Sequence, residues 1–206
     1  MLNTIKEIVE AGKLKKVEDA VRSALEEKIA ASEILATMTG AMDAVGEKFQ
    51  KNEIYVPEML LSAKTMQRGV NILKTVLAGD EVGKYGKFVI GTVQGDLHDI
   101  GKNLVAMMIE SAGFEVIDLG VDVPAEKFVE AIKANPGCMV GLSALLTTTM
   151  DAMKDTVKAI KEAAPEVKIM VGGAPISQAF CDAIGATAYT DNAAAAANMA
   201  KSLVEG

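Results

Sequence analysis

A chain of 206 residues, half of them hydrophobic, is long enough for one large domain or two small ones, taking roughly 150 residues per domain. A formal charge of −7, with five Phe and three Tyr, leaves no basic, aromatic-studded surface of the kind nucleic acid requires. The longest apolar runs fall far short of the roughly 20 residues of a membrane span, so a soluble globular protein is expected. Cys138 and Cys181 have no CxxC spacing and are expected as buried free thiols. The N-terminus opens an amphipathic helix without the apolar core of a signal peptide, which makes the cytoplasm the expected compartment.

Residues 1–79 read as four helices. Leu2, Ile5, Ile8 and Val9 form a first apolar stripe closed by Gly12, and Val17, Val21, Leu25 and Ile29 form a second. Ser32 is placed to cap a third helix carrying Leu35, Met38, Met42, Val45 and Phe49. A fourth starts near Pro57 and runs through Leu60, Ala63, Met66, Val70, Leu73 and Leu77 to Gly79. Short connections suggest an antiparallel bundle over 1–79. Its methionines, Met38, Met42, Met59 and Met66, lie on or beside the stripes, where core packing is the plain reading. Residues 80–86, rich in glycine and charge without periodicity, read as a linker and possible hinge.

From residue 87 the pattern alternates. Strands are expected at 87–93, 114–119, 138–142, 167–171 and 187–189, and helices from about 102 to 112, over 124–134, 149–164, 176–184 and 192–203. Strands alternating with helices imply an α/β domain over 87–206 with a five-stranded parallel sheet, in flavodoxin-like order. Val89, Ile90 and Val93 suit a strand covered on both faces.

The loop after the first strand carries Gly95, Asp96, Leu97, His98, Asp99 and Gly101, and His98 is the only histidine. It lies beyond the carboxyl end of a strand, where open α/β sheets bind ligands. A phosphate-loop reading fails because Gly95 and Gly101 have five residues between them, and Asn103 follows Lys102 where Ser or Thr is required. No GxGxxG is present. What remains is an Asp-x-His pair in which Asp96 can hold one imidazole nitrogen while the other faces a metal. Zinc would need three or four protein ligands, which a lone histidine with scattered carboxylates does not supply. A metal that brings its own equatorial ligands needs only one protein donor. Ser143, Thr147, Thr148 and Thr149 follow the third strand, where Thr148 and Asp151 stand in capping-box spacing. Gly172 and Gly173 follow the fourth strand and suit a tight turn, and Asp191-Asn192 follows the fifth.

Asp96-Leu97-His98-Asp99-Ile100-Gly101, then Ser143-Ala144-Leu145, then Gly172-Gly173, resembles the DxHxxG, SxL and GG signature of cobalamin-binding domains of the methionine synthase and corrinoid-protein type. The segment 52–59, with Tyr55 and Met59, resembles the part of that family's helical cap that covers the cofactor, so the resemblance extends over nearly the whole chain. It implies cobalamin held with its own base displaced and His98 as the lower axial ligand of cobalt. Asp96 and Thr149 would then form a relay behind His98, with Thr149 where the family pattern has serine. Ser143, Gly172, Gly173 and Asn192 would line the region that receives the cofactor's nucleotide tail, Gly95, Leu97, Asp99, Gly101, Leu145 and Thr147 would also bind the cofactor, and Tyr55 and Met59 would lie over the upper face.

The resemblance further implies a carrier that alternates between cob(I)alamin and methylcob(III)alamin and does not turn over alone. A substrate-specific methyltransferase would load it, a second would pass the methyl to a tetrahydrofolate-type or thiol acceptor, and a reductive activase would rescue Co(II). The rival expectations are an adenosylcobalamin mutase subunit, a cobalamin-dependent sensor module, and a flavodoxin-like domain without a corrin.

Overall fold

The computed structural model describes residues 1–73, 76 and 84–205. The chain divides into two compact units, one formed by Met1–Lys84 with Glu110–Phe114 and the other by Tyr85–Ile109 with Glu115–Gly206. The first contains the helices α1 (Leu2–Glu10), α2 (Val17–Glu26), α3 (Ala31–Gln50) and α4 (Val56–Leu73). Their apolar stripes turn inward, with Ile5, Val9, Val21, Met38, Val45 and Ala63 fully buried. Gly12 at φ 60 lies just past the end of α1, a left-handed position that L side chains adopt only under strain.

Three sequence expectations in this unit need correction. Lys28, at φ 62, takes the chain out of helical geometry, so α2 stops at Glu26 and Ile29 lies beyond it. Ser32 falls inside the first turn of α3, whose N-cap is Ala30 with no side-chain bond; Ile34 and Ala41, rather than Leu35 and Phe49, complete the buried stripe. The continuation of α4 to Leu77 and Gly79, and most of the 80–86 linker, lie outside the described residues.

The second unit is a five-stranded sheet in the order β2-β1-β3-β4-β5, with every neighbouring pair parallel. Its strands are β1 (Lys87–Thr92), β2 (Glu115–Asp118), β3 (Met139–Ser143), β4 (Ile169–Gly172) and β5 (Ala188–Tyr189). The connecting helices are α5 (Ile100–Ser111), α6 (Ala125–Ala134), α7 (Met150–Ala163) and α8 (Gln178–Ile184), with α9 (Ala193–Glu205) closing the chain and a 3-10 turn at Thr147–Thr149 leading into α7. In this flavodoxin-like order the chain steps outward from β1 to β2, then crosses back to lay β3, β4 and β5 on the other side of β1, so that α6 and α7 share one face of the sheet. β1 is buried from Phe88 to Thr92, as a strand covered on both sides must be. One face of the sheet packs Val89, Val140 and Val171 against Phe128, Met153 and Val157 of α6 and α7.

Two sheet glycines make room for this packing. A Cβ at Gly91 would stand 2.7 Å from Phe128 Cζ, and one at Gly141 would stand 2.7 Å from Phe88 Cε1. Gly40 in α3 has nothing within 4 Å of the same position. Gly91→Ala is therefore expected to destabilise the protein by about 1–3 kcal/mol through overpacking. Gly40→Ala is expected to stabilise it by about 0.5–1 kcal/mol through backbone entropy. Urea unfolding of the two variants beside wild type checks both signs, and a neutral Gly91→Ala would show that the ring of Phe128 gives way freely.

Candidate functional site

The register of the sheet brings the sequence-distant motifs to one edge. Thr92, Ser143 and Gly172 are lateral neighbours at the carboxyl ends of β1, β3 and β4, and the loops beyond them carry His98, Thr149 and Gly173. Val93 extends this edge by donating its N–H to the Ser143 carbonyl at 3.0 Å.

Asp96 is fully buried and collects donors from two loops. Its Oδ1 accepts the His98 backbone N–H at 3.0 Å and pairs with His98 Nδ1 at 2.9 Å. Its Oδ2 accepts the Leu145 N–H at 2.7 Å, the Thr149 hydroxyl at 2.9 Å and, more weakly, the Leu146 N–H at 3.3 Å. The Thr149 hydroxyl also lies 2.9 Å from the Leu146 carbonyl. A hydroxyl has one proton, and the charged acceptor makes the stronger claim on it. Burial alone would raise the Asp96 carboxyl; the bonds from Leu145, His98 and Thr149 outweigh it and hold the group well below the usual carboxylate range.

An ionised Asp96 is an acceptor only, so the proton in the bond to His98 sits on Nδ1, and in the neutral ring Nε2 then carries the lone pair. The His98 side chain is 52% exposed although its anchoring carboxylate has no exposure. Large apolar side chains flank it uncovered: Leu97 is 71% exposed and Ile100 85%, while Leu145 and Leu146 are also exposed.

The remaining sequence candidates divide into several roles. Asp99 lies ahead of α5 and bonds Asn103 through both backbone and side chain. Gly101 is in the first turn of that helix with open space where a Cβ would be. Gly95, at φ 83, turns the loop so that a Cβ there would stand 3.6 Å from the Thr149 methyl. Thr147 is exposed, and Ser143 is half-buried at its strand end. The Thr148 and Asp151 capping box does not form; α7 is preceded by Thr149, whose hydroxyl goes to Asp96. Asn192 caps α9 by accepting the Ala195 N–H. A Cβ at Gly173, φ 130, would lie 1.7 Å from the Ala144 carbonyl oxygen, so glycine is required there by the approach of two backbones. In the helical unit Tyr55 is 71% exposed, whereas Met59 is fully buried and offers no surface to a ligand.

Sequence reading missed several members of the network. Lys102, the lysine of the failed phosphate-loop match, is buried and ion-paired to Asp118 Oδ2 while donating to Asn103 Oδ1. The two leucine N–H donors to Asp96 have no signature in residue type at all.

Among the described residues no group of three or more His, Cys, Asp or Glu could hold a bare metal ion. One imidazole nitrogen, set in an apolar surround, fits instead a metal inside a planar organic macrocycle that needs one protein donor and a non-polar seat. Comparison with known proteins agrees. Residues 86–198 match a family model described as a B12 binding domain, and residues 1–74 match a second model with that description. The chain belongs to the B12-binding family.

Among relatives of this B12-binding chain is "Dimethylamine corrinoid protein 2" of Methanosarcina acetivorans, 43% identical over 209 residues, covering 100% of this chain and 97% of that protein. Among solved structures, a cobalamin-binding protein from Desulfitobacterium hafniense superposes with a TM-score of 0.82 at 32% identity, covering 99% of this chain and 98% of the other. The methanol:cobalamin methyltransferase complex of Methanosarcina barkeri gives a TM-score of 0.87 at 27% identity, over 98% of this chain and 78% of that one. No helix among the described residues is long and apolar enough to cross a membrane.

The Asp96 carboxylate predicts a pH dependence. Because its folded-state value is depressed, its ionised form stabilises the fold fully above the ordinary carboxylate range, near 4, and that stability is lost as pH falls toward the folded value. Asp96→Asn is expected to cost about 1–3 kcal/mol at pH 7, and the gap from wild type should shrink at pH 3.5. Urea unfolding at the two pH values measures this, and a gap independent of pH would mean that the charge of Asp96 is not what the network stabilises.

Proposed function

We propose that this chain is the corrinoid carrier subunit of a methylamine methyltransferase system. The observation that carries the reading is the lone imidazole: its Nδ1 is taken by a buried, ionised carboxylate, and among the described residues no hydrogen bond engages its Nε2. The full-length likeness to a dimethylamine corrinoid protein supports the methylamine as methyl donor. One methyltransferase would draw on that donor, a second would deliver to a tetrahydrofolate-type or thiol acceptor, and a reductive activase would serve as a third partner. We place the division between cap and cofactor-binding domain within residues 80–86.

When bound, a corrinoid supplies a cobalt centre able to accept and release a methyl group as a cation equivalent; the protein supplies ligation, orientation and exclusion of water. His98 Nε2 would be the protein's donor to that metal. Asp96 fixes the ring's tautomer and rotation through Nδ1, as acceptors behind metal-bound histidines do. Thr149 and the Leu145 and Leu146 amides keep that carboxylate ionised, so the proton stays on Nδ1 and Nε2 stays available. Thr149 does the work of the family's serine here, since its hydroxyl reaches Asp96 and its methyl is accommodated beside Gly95. Leu97, Leu145 and Leu146 provide the apolar seat around the imidazole. Ser143, Thr147, Gly172, Gly173 and Asn192 border the strand ends that would receive the cofactor's tail.

Purified protein incubated anaerobically with hydroxocobalamin and gel-filtered is expected to retain about one corrin per chain, with a visible spectrum that changes in His98→Ala to that of a corrin lacking histidine. Colourless wild-type protein would end the carrier reading. The loaded chain should then accept methyl groups from dimethylamine through a methylamine-specific methyltransferase. Loading by a methanol-specific enzyme alone would overturn the donor assignment and leave the carrier role intact.

A further inference from the structure

His98 stands in a connection, residues 94–99, that belongs to neither β1 nor α5, so its imidazole is only as well placed as that backbone. The Asp96 carboxylate fixes the ring relative to the loop. Its Oδ2 bonds to Leu145, Leu146 and Thr149 also tie the loop to the one after β3, but the side of the loop that faces β1 and β2 needs holds of its own.

Two residues outside the loop provide them. Asp122, in the connection between β2 and α6, accepts the Gly95 N–H on Oδ1 at 2.7 Å and donates its own N–H to the Asp96 carbonyl at 2.9 Å. This reciprocal pair grips consecutive loop residues from a position 26 to 27 residues downstream in sequence. Asp122 is held at φ 53, a conformation that aspartate tolerates better than most residues but that persists only where its surroundings impose it. They do so: the next residue, Val123, bridges to Val93 in parallel and donates its N–H to the Thr92 carbonyl at 3.0 Å. Thr92, fully buried at the end of β1, closes the other side of the loop: its N–H goes to the Gly120 carbonyl and its hydroxyl donates to the His98 carbonyl at 2.9 Å. The loop is thus tied at Gly95, Asp96 and His98 to a β-ladder that cannot shift without breaking the sheet edge.

We propose that Asp122 and Thr92 are positioning residues for His98, setting where the imidazole stands so that Nε2 can reach an axial metal position. The proposal rests on the reading of His98 as the axial ligand. Neither side chain forms a hydrogen bond with the imidazole, and both act through the loop backbone. A misplacement of about 1 Å is enough to spoil an oriented bond.

The single histidine makes the test clean. In nitrogen-15-labelled protein without cofactor, a long-range proton–nitrogen spectrum at pH 8 reads the tautomer of that one ring. Wild type should show the Nδ1–H form imposed by Asp96, against the Nε2–H preference of a free imidazole. In Thr92→Val and Asp122→Gly the Nε2–H population is expected to rise at least threefold. Asp122→Gly keeps the positive φ free of strain while removing the carboxylate, its added backbone freedom falling on the unfolded chain. Thr92→Ser and Asp122→Asn, which keep the donor and the acceptor, should restore the wild-type pattern. After loading with cobalamin reduced to Co(II), the axial-nitrogen splitting in the paramagnetic resonance spectrum should fall at least threefold in the first pair and not in the second.

Wild-type tautomer and splitting in both Thr92→Val and Asp122→Gly would overturn the proposal while leaving His98 as ligand. Wild-type splitting indistinguishable from that of His98→Ala would instead remove the axial-ligand reading, and the positioning role would fall with it. Should Thr92→Val not fold, as judged by circular dichroism, Asp122→Gly against Asp122→Asn decides alone.

Discussion

A carboxylate stripped of water and given back five hydrogen bonds is the constraint on which this half of the molecule depends. Burying an ionised group costs several kcal/mol unless its lone pairs are met, so Asp96 can sit where it does only if the loops after β1 and β3 arrive together. They arrive together because β1 and β3 are hydrogen-bonded neighbours in register, Thr92 against Ser143. That adjacency comes from the strand order, in which the chain returns to the inner side of β1 after laying β2 on its outer side. Gly91 and Gly141 belong to the same chain of cause, since they let Phe128 and Phe88 press against the two strands. Topology, core packing and the charge of one side chain are here a single requirement.

The same carboxylate divides the imidazole into two chemically different ends. Nδ1 faces an anion inside the protein and keeps its proton; Nε2, at the other end of a half-exposed ring, carries the lone pair when the ring is neutral. A histidine on an open loop would sample both tautomers and many rotations, and would serve as a general base as readily as a ligand. Fixing the tautomer from a buried acceptor converts it into a directed donor. Thr149 extends the arrangement inward by one hydroxyl, and the two leucine amides add donors that cannot titrate, so the carboxylate stays charged over the range in which proteins work.

Much of the fold was legible because its signals are local. β-branched runs bounded by glycine gave the strands to within a residue or two, and alternation with amphipathic helices implied the parallel sheet. Local signals failed where a backbone conformation decides the outcome: Lys28 in the left-handed region ends α2 before Ile29, and Ala30 takes the cap position that Ser32 suggested. At the site, Asp96 and His98 were legible because both side chains leave one loop at short spacing. Thr149 required a resemblance, since nothing in periodicity links it to a residue 53 positions away. The Leu145 and Leu146 amides, the Asp122 grip and the pairing of buried Lys102 with exposed Asp118 were not legible, because a backbone N–H looks the same at every position and the partners meet only in the folded sheet. Met59 and Tyr55 show the limit from the other side: the apolar stripe of α4 put Met59 inside, and a motif match alone could not tell an inward side chain from an outward one.

The three motif elements carry unequal chemical information. Gly173, just past β4, is demanded by the fold irrespective of any ligand, because a side chain there would enter the Ala144 carbonyl, and one at Gly172, the last residue of β4, would press on the Thr190 carbonyl at 3.2 Å. Ser143 is placed by its register and its carbonyl bond to Val93, both of which any residue could make. Asp96 and His98 are different: no requirement of packing explains an ionised group at zero exposure joined to a half-exposed ring. A fold gains no stability from a carboxylate in its interior over a well-packed apolar group of the same size, so its presence there points to the ring it orients. The Asp-x-His pair is therefore the part of the motif that a ligand, not the fold, calls for, and the glycines and serine say chiefly that the sheet edge beneath it is built to the same plan.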